Sequence, residues 1–242
     1  MQGNRGGTGR QPLKITRERL AKLIDHTVVR PYATEGDVRK ACDEAKRHGF
    51  ASVCVNPCYV SLASRLLRGT GIGVCVVIGF PFGATLPSVK AFEAKEVIRR
   101  GADEIDVVIN IGALKSGNYD LVRRDIESVV EVAKARGVLT KVIIEACYLT
   151  DEEKEAACKV AKDAGADFIK TSTGYGPAGA TVHDVKLIRA VVGDEMGIKA
   201  SGGISDAERA VAMIRAGATR IGTSNGVRVV ESLTGDAYSD QG

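Results

Sequence analysis

Short apolar runs alternate with amphipathic segments along nearly the whole chain. Eight runs are rich in valine, isoleucine and other apolar residues, and each precedes a segment with helical spacing of its apolar positions. Fully apolar runs such as Val74–Ile78 and Val142–Ile144 are typical of a parallel sheet that is covered on both faces. The predicted strands are Leu23–Thr27, Ala51–Val55, Gly73–Phe80, Glu104–Asn110, Lys141–Cys147, Phe168–Ser172, Gly197–Ala200 and Arg220–Thr223.

The segments between these runs predict helices, some with recognisable ends. Thr34 is suited to cap a helix that begins with acidic residues, and Gly49 ends that helix. Thr150 and Glu153 have the spacing of a capping box at the start of another helix. The predicted helices are Thr16–Lys22, Thr34–His48, Pro57–Leu67, Thr85–Arg100, Asn118–Arg136, Thr150–Ala164, Thr181–Val192, Ser205–Ala216 and Val227–Leu233.

A short motif recurs where a helix ends and a strand begins. It reads Gly101-Ala102-Asp103, Gly165-Ala166-Asp167 and Gly217-Ala218-Thr219, with spacings of 64 and 52 residues that are close to two βα units each. Eight such units favour a single-domain α/β protein with the (β/α)8 TIM-barrel fold. A doubly wound sheet is the weaker alternative, because no Gly-x-Gly-x-x-Gly motif follows the first strand. We predict a barrel domain over residues 13–235, a flexible tail at 1–12 and a second tail at 236–242.

Composition narrows the class of protein. The chain has 242 residues, of which 44% are hydrophobic, and a net charge of +4 that fits either its surface composition or an anionic small substrate. It has no basic tract with interleaved aromatic residues and no apolar run near the roughly 18–20 residues that span a bilayer. The six cysteines lack the spacing of a zinc site or a disulfide framework. We therefore expect a cytoplasmic protein with no metal, no nucleic-acid partner and no membrane association.

Polar and charged residues collect at the carboxyl ends of the predicted strands, where the active sites of such barrels form. Within this set Lys170 and Lys199 lie on consecutive strands, about 5 Å apart. Two ammonium groups held this close in a low-dielectric interior disfavour each other, so one pKa of the pair should fall. A neutral amine forms a Schiff base with a carbonyl compound. The residues at these strand ends are Asp25, His26, Cys54, Asn56, Asp106, Asn110, Glu145, Lys170, Lys199 and Gly222-Thr223-Ser224.

Asp106 and Asp25 could move the protons that such a reaction requires. The alternatives are a buried ion-pair cluster without chemistry, or a lysine that reaches solvent from an ordinary strand end. His26 and His183 are expected to be structural, and His26 could hydrogen-bond the adjacent Asp25.

Glycine-bearing loops follow the last three strands. They are Gly174-Tyr175-Gly176, Ser201-Gly202-Gly203 and Gly222-Thr223-Ser224. In barrels this corner is a common phosphate site, formed by backbone N–H groups, although tight βα turns would also explain each loop alone. Together with the lysine pair, the loops favour an enzyme that forms an imine with a phosphorylated carbonyl compound, an aldolase or a related lyase.

Several motifs, in the same order along the chain, resemble the deoxyribose-phosphate aldolase family. The similarity runs from about Leu23 to Ser224, which is most of the chain. The resemblance implies class I aldolase chemistry through a lysine Schiff base, without a metal or cofactor. Deoxyribose 5-phosphate would be cleaved reversibly to acetaldehyde and glyceraldehyde 3-phosphate. The motifs are Leu23–Thr27, Ser52–Pro57, Gly79–Pro81, Asp103–Asp106, Phe168–Gly174 and Ile198–Ile204.

The same resemblance implies roles for individual residues. Lys170 forms the imine, Lys199 is the neighbouring cation that favours its uncharged form, and Asp106 carries protons through water. Asp25 orients the lysine and a substrate hydroxyl. Cys54 and Thr171 line the pocket, and the phosphate is held by Gly174, Gly202, Gly203, Gly222 and Ser224. Family members are commonly homodimers or homotetramers, so a homo-oligomer is expected here.

Two positions depart from the family pattern. Tyr175 stands where some members have a lysine, so phosphate binding would depend more on backbone amides than on charge. Tyr238 is followed by four residues, and the role of a C-terminal tyrosine in some members is therefore not transferred to it. The alternatives are a transaldolase or a class I fructose-bisphosphate aldolase, and a non-catalytic barrel that binds phosphosugars.

Overall fold

A computed structural model describes residues 15–235, in which eight parallel strands close into a barrel. The strands pair in sequence order, and the first strand closes the barrel against the eighth. The predicted (β/α)8 barrel is thus confirmed, whereas both predicted tails and Tyr238 lie outside the described residues. The domain bounds stay a prediction. The strands are β1 (Ile24–Val28), β2 (Ser52–Val55), β3 (Gly73–Ile78), β4 (Glu104–Val108), β5 (Leu139–Ile143), β6 (Phe168–Lys170), β7 (Gly197–Ser201) and β8 (Arg220–Thr223).

Helices follow each strand and surround the barrel. Short 3-10 turns at Pro57–Tyr59 and Ala146–Tyr148 precede two of them, so the helix predicted over Pro57–Leu67 divides into a turn and a shorter α-helix. No helix within residues 15–235 is both long and apolar enough to cross a membrane. The helices are α1 (Arg17–Ala21), α2 (Glu35–His48), α3 (Val60–Leu67), α4 (Pro87–Arg99), α5 (Ile111–Lys115), α6 (Tyr119–Lys134), α7 (Asp151–Asp163), α8 (Val182–Val192), α9 (Ala207–Ala216) and α10 (Gly226–Glu231).

The helix ends follow from local hydrogen bonding. Thr34 forms a capping box with Asp37 at the start of α2, and Gly49 ends α2 in the left-handed conformation with φ 71°. Thr150 and Glu153 form the predicted capping box of α7. Helix α5 was not predicted from the sequence. Its N-cap is Asn110, whose side-chain oxygen accepts a hydrogen bond from the Ala113 N–H, so the last residue of the predicted strand Glu104–Asn110 caps a helix, and β4 itself ends at Val108.

The two faces of the strands differ in character. Outward-facing residues such as Val53 and Val74 join the main hydrophobic core between sheet and helices. Their inward-facing neighbours Cys54, Cys75 and Val77 form a separate small cluster. The barrel interior also buries charged side chains, which is costly unless each is paired. The buried charged residues of the strands are Asp25, Glu104, Asp106, Lys141, Lys170 and Lys199.

Candidate active site

Asp106 is the residue on which the two predicted lysines converge. Lys170 and Lys199 are direct register partners on β6 and β7. Their Nζ atoms lie 2.8 and 2.7 Å from the same oxygen, Oδ2 of Asp106. The structure therefore brings together the lysine pair and the carboxylate that the sequence placed at neighbouring strand ends.

Lys141 on β5 is a third buried lysine that the sequence analysis did not single out. Its Nζ lies 3.0 Å from Oδ1 of Asp106 and 2.5 Å from Oε2 of Glu104. Both oxygens of Asp106 are therefore engaged by ammonium groups. The sequence contained a sign of this lysine, because Lys141 is the first residue of the predicted strand Lys141–Cys147 and the next three residues are apolar. What the sequence could not supply was the direction of the side chain into the barrel.

Asp25 lies deeper in the barrel and connects this cluster to its base. Its Oδ2 is 2.5 Å from Lys199 Nζ, and its Oδ1 accepts hydrogen bonds from Ser52 at 2.7 Å and Arg220 at 2.6 Å. Arg220 also contacts Glu104 at 3.1 Å. Arg220 and Glu104 were not predicted to belong to the site. They extend the ion-pair network from the carboxyl ends of the strands towards the opposite end of the barrel.

The cluster has an excess of one potential positive charge, since it holds three carboxyl groups and four basic groups. Burial alone would raise the pKa of Asp106, but Lys141, Lys170 and Lys199 outweigh it and hold that pKa well below its usual range. Burial likewise opposes protonation of Lys199, yet Asp106 and Asp25 raise its pKa above the ordinary value. Lys199 is therefore expected to stay protonated.

Lys170 is the member of this cluster that reaches an open cleft. The cleft has a volume of about 590 Å³ and lies at the carboxyl ends of the strands. Lys170 is 3% exposed and lies at its floor, whereas Asp106, Lys199 and Asp25 are completely buried beneath it. Of the predicted site residues, those that line the cleft are Lys170, Gly174, Gly202, Gly203, Gly222 and Ser224.

Two glycines of the predicted phosphate loops are required for packing as well. A Cβ atom on Gly222 would lie 2.8 Å from Cε of Lys199, so this glycine leaves room for the buried lysine. Gly202 has φ 85°, and a Cβ there would lie 2.8 Å from the Cα of Gly179. Glycine at positions 222 and 202 therefore allows the segments around the cleft to approach one another closely.

Cys54 and Thr171 are not among the residues that line the cleft. Both are completely buried. Cys54 Sγ lies 4.0 Å from Asp106 Oδ2, behind the lysine pair. Thr171 exchanges hydrogen bonds with the backbone of Ser201, which joins the end of β6 to that of β7.

Two groups of donor atoms in the barrel, within the described residues, are close enough together to hold a cation. Cys54, Cys75 and Asp106 form one, and Asp25, Cys75 and Glu104 form the other. Lysine ammonium groups already occupy the carboxylates of both groups, as Lys141 and Lys199 do at Asp106. Charge favours the lysines as the partners of these carboxylates.

The chain matches a known protein family over most of its length. Residues 19–230 match the family model described as DeoC/LacD family aldolase. The chain belongs to this family. The resemblance drawn from its motifs is thereby confirmed.

Relatives and solved structures support the same assignment. The deoxyribose-phosphate aldolase of Enterococcus faecalis is 58% identical over 219 residues, which cover 90% of this chain and 99% of the relative. That of Thermococcus gammatolerans is 61% identical over 214 residues, 88% of this chain and 95% of the relative. A structure described as a unique tetrameric deoxyribose phosphate aldolase from Aeropyrum pernix is similar at TM-score 0.85 and 39% identity, covering 90% of this chain and 92% of that one.

Glu145 has a supporting position in this aldolase-family site. It was predicted to lie on the fifth strand, but β5 ends at Ile143 and Glu145 adopts the left-handed conformation with φ 50°. Its carboxylate accepts hydrogen bonds from the N–H of Thr173, at 3.1 Å, and from the Thr173 hydroxyl. Thr173 Oγ1 in turn accepts a hydrogen bond from the Tyr175 N–H at 3.0 Å. Glu145 thereby fixes the loop that follows the lysine.

The two histidines are held by carboxylates outside the cleft. His26 lies 2.7 Å from Glu44, so its partner is not the adjacent Asp25. His183 lies 2.7 Å from Asp151. These contacts are consistent with the structural roles expected for both residues.

Proposed function

We propose that the chain is a class I deoxyribose-phosphate aldolase in which Lys170 forms the Schiff base. The reaction is the reversible cleavage of 2-deoxy-D-ribose 5-phosphate to acetaldehyde and D-glyceraldehyde 3-phosphate. One observation carries the residue assignment above all others. Lys170 is the one amine of the buried cluster, among the described residues, that lines the cleft.

Imine formation begins with the uncharged amine of Lys170. It attacks the aldehyde carbon of the open-chain sugar phosphate, and the carbinolamine then loses water to give an iminium group. The iminium withdraws electrons from the neighbouring carbon and allows the carbon–carbon bond to break. Loss of the proton from the C3 hydroxyl releases glyceraldehyde 3-phosphate and leaves an enamine of acetaldehyde on Lys170. Protonation and hydrolysis of the enamine release acetaldehyde and restore the amine.

Asp106 and Lys199 supply proton transfer and charge stabilisation in this proposal. Asp106 is ionised and lies 2.8 Å from Lys170 Nζ, so it can stabilise the iminium and take up or return protons through water. Lys199 stays cationic and contacts the same carboxylate oxygen as Lys170, so it shares the negative charge of Asp106 with the proposed nucleophile. Asp25 contacts Lys199 at 2.5 Å and orients it. We therefore assign Asp25 a positioning role.

The glycine loops and Ser224 would hold the phosphate of the substrate. They border the cleft beside Lys170 and offer backbone N–H groups and a hydroxyl group. Cys54 and Thr171 would act from behind the cleft wall, because neither side chain is exposed to it.

Reductive trapping tests the proposal directly. The protein is incubated with acetaldehyde and borohydride, and the modified residue is identified by peptide mass spectrometry. We expect a stable ethyl adduct on Lys170 and none in Lys170→Ala. Lys199→Met is the matched comparison, because it removes a second buried lysine and keeps the proposed nucleophile. A wild-type protein without an adduct, or an adduct on another lysine, would contradict the proposal.

We also propose that the chain forms a homo-oligomer and functions in the cytoplasm. The cysteines within residues 15–235 are free thiols. Exposed apolar side chains cluster on α4 and the loop before it, including Phe82 at 78% and Phe92 at 66% exposure. Such a surface is typical of an interface. The similar protein from Aeropyrum pernix is described as tetrameric, and light scattering of wild-type protein and of Phe92→Glu would test this part.

A further inference from the structure

Two arginines reach the cleft from the strands on either side of β8. Arg30 lies in the loop that follows β1, and Arg209 lies in the first turn of α9, which follows β7. Gly222 near the end of β8 and Ser224 just after it lie between them in the strand order. The corner expected to hold phosphate is therefore flanked by two guanidinium groups that were not identified from the sequence.

Neither arginine is held in a short ion pair. Arg209 donates a hydrogen bond to the Gly203 carbonyl at 2.7 Å and lies 4.0 Å from Asp206. Arg30 lies over the Tyr32 ring at 5.2 Å and 3.8 Å from Asp37. The two side chains are 62% and 54% exposed. Each retains N–H donors for an incoming anion, and the planar guanidinium matches two oxygens of a phosphate.

Tyr175 links the loop of Arg30 to the lysine loop. Its hydroxyl donates a hydrogen bond to the Val29 carbonyl at 3.1 Å, one residue before Arg30. Its ring packs edge-to-face on Phe80 with 5.6 Å between centroids. Its N–H is fixed through Thr173 by Glu145. Tyr175 therefore contributes no charge itself, but its hydrogen bond to Val29 restrains the backbone next to Arg30.

We propose that Arg209 and Arg30 form the cationic part of the phosphate site, and that Tyr175 is a positioning residue for Arg30. This inference rests on the proposed function, because it concerns the phosphate group of the same substrate. Because Tyr175 replaces a lysine, the sequence predicted that backbone amides would contribute most of the phosphate binding. The two arginines change that expectation, since they supply charge from other positions. Specificity for a phosphorylated substrate then depends on residues of two loops and one helix that do not contact the reacting carbon.

The test compares substrates with and without the phosphate group. Cleavage of 2-deoxyribose 5-phosphate and of unphosphorylated 2-deoxyribose is measured for wild type, Arg209→Gln, Arg30→Gln and Tyr175→Phe. Each arginine variant should lower the ratio of the two kcat/KM values about tenfold, mainly through KM for the phosphorylated substrate. Tyr175→Phe keeps the ring and loses the hydroxyl, and the ratio should fall about threefold. Arg123→Gln on α6 is the control, because that arginine is also exposed and paired with helix carboxylates.

The outcomes separate this inference from the proposed function. A fall in the ratio that weakens at high salt supports the arginine site, because exposed charges are screened. An unchanged ratio in both arginine variants overturns it, whether the two activities fall together or stay at wild-type values. Acetaldehyde trapping on Lys170 is run on every variant in parallel. Normal trapping with an unchanged ratio refutes the arginine site alone, whereas a wild-type protein that is not trapped refutes the aldolase assignment as well.

Discussion

Asp106→Asn removes the carboxylate that three lysines share. The lysine Nζ atoms lie 2.7 to 3.0 Å from its two oxygens. Asparagine has nearly the same shape, so the substitution changes charge far more than packing. The cluster is left with two carboxyl groups for four basic groups, and its potential excess of positive charge rises by one.

The expected loss of stability in Asp106→Asn follows from this imbalance of charge. Breaking a buried ion pair by removing one partner destabilises a protein by about 3–5 kcal/mol. Lys170 borders the cleft, where solvent can compensate part of its charge, so we expect a loss of about 3 kcal/mol in the free energy of unfolding. A typical domain has about 5–15 kcal/mol in total, and the barrel should therefore remain folded. Loss of the proton carrier should lower kcat by about a hundredfold to ten-thousandfold.

Three measurements together test this reasoning. Urea denaturation gives the free energy of unfolding, steady-state cleavage gives kcat, and acetaldehyde with borohydride reports imine formation. We expect the adduct on Lys170 to persist in Asp106→Asn while turnover collapses, because the variant keeps the nucleophile and loses the proton carrier. Near-normal kcat would refute the proton-transfer role.

Asp125→Asn is the matched control for this variant. It breaks another buried pair, between Asp125 and Lys90 at 2.5 Å, which joins α6 to α4 outside the cleft. It should lower stability without a comparable loss of kcat. Equal losses of kcat in the two variants would mean that destabilisation, and not proton transfer, explains the effect.

Three further outcomes are expected. Lys141→Met should lower the free energy of unfolding by about 3 kcal/mol, measured in urea, because it removes the buried ammonium group that lies 2.5 Å from Glu104 and 3.0 Å from Asp106. Asp106 has a folded pKa below its unfolded value of about 4, so its stabilising contribution is present above about pH 4 and is lost as pH falls through the folded pKa. Urea melts from pH 7 to below pH 4 should show the start of this loss in wild type and a flatter profile in Asp106→Asn. Gly222→Ala should lower kcat in steady-state assays, because its Cβ would displace the buried Lys199.

The glycine prediction has an internal control. Gly36 lies within α2, and a Cβ there would meet only Thr34 Oγ1 at 3.5 Å. Gly36→Ala should therefore leave kcat unchanged and stabilise the helix slightly. If Gly222→Ala behaved in the same way, the close approach to Lys199 would not matter for catalysis.

The sequence was sufficient to predict the barrel and its lysine pair, because both depend on local pattern. Apolar runs identified the strands, and Lys170 and Lys199 occupy equivalent positions in consecutive strands, which placed them in register. The lower part of the ion network was missed for a different reason. Whether Lys141 or Arg220 faces the barrel or the helices depends on strand register and on partners far along the chain, such as Glu104.

The placement of side chains that lie outside the strands could not be predicted from the sequence either. Glu145 was assigned to a strand because the apolar run continues to it, but a left-handed residue ends that run and turns its carboxylate towards Thr173. Arg30 and Arg209 resembled ordinary surface arginines in the sequence. Only the return of the segments that follow β1, β6, β7 and β8 to one cleft shows that they border a common site.

The distribution of the site over strands and loops has a consequence for how this enzyme could change. Lys170, Lys199 and Asp106 belong to the paired strands, whose conformation the whole barrel determines. Arg30, Tyr175 and Arg209 lie outside the strands, where substitutions cost little stability. Substrate preference and bond cleavage are therefore separable under mutation. A library restricted to these three positions could shift the protein towards unphosphorylated aldehydes while each variant retains Lys170.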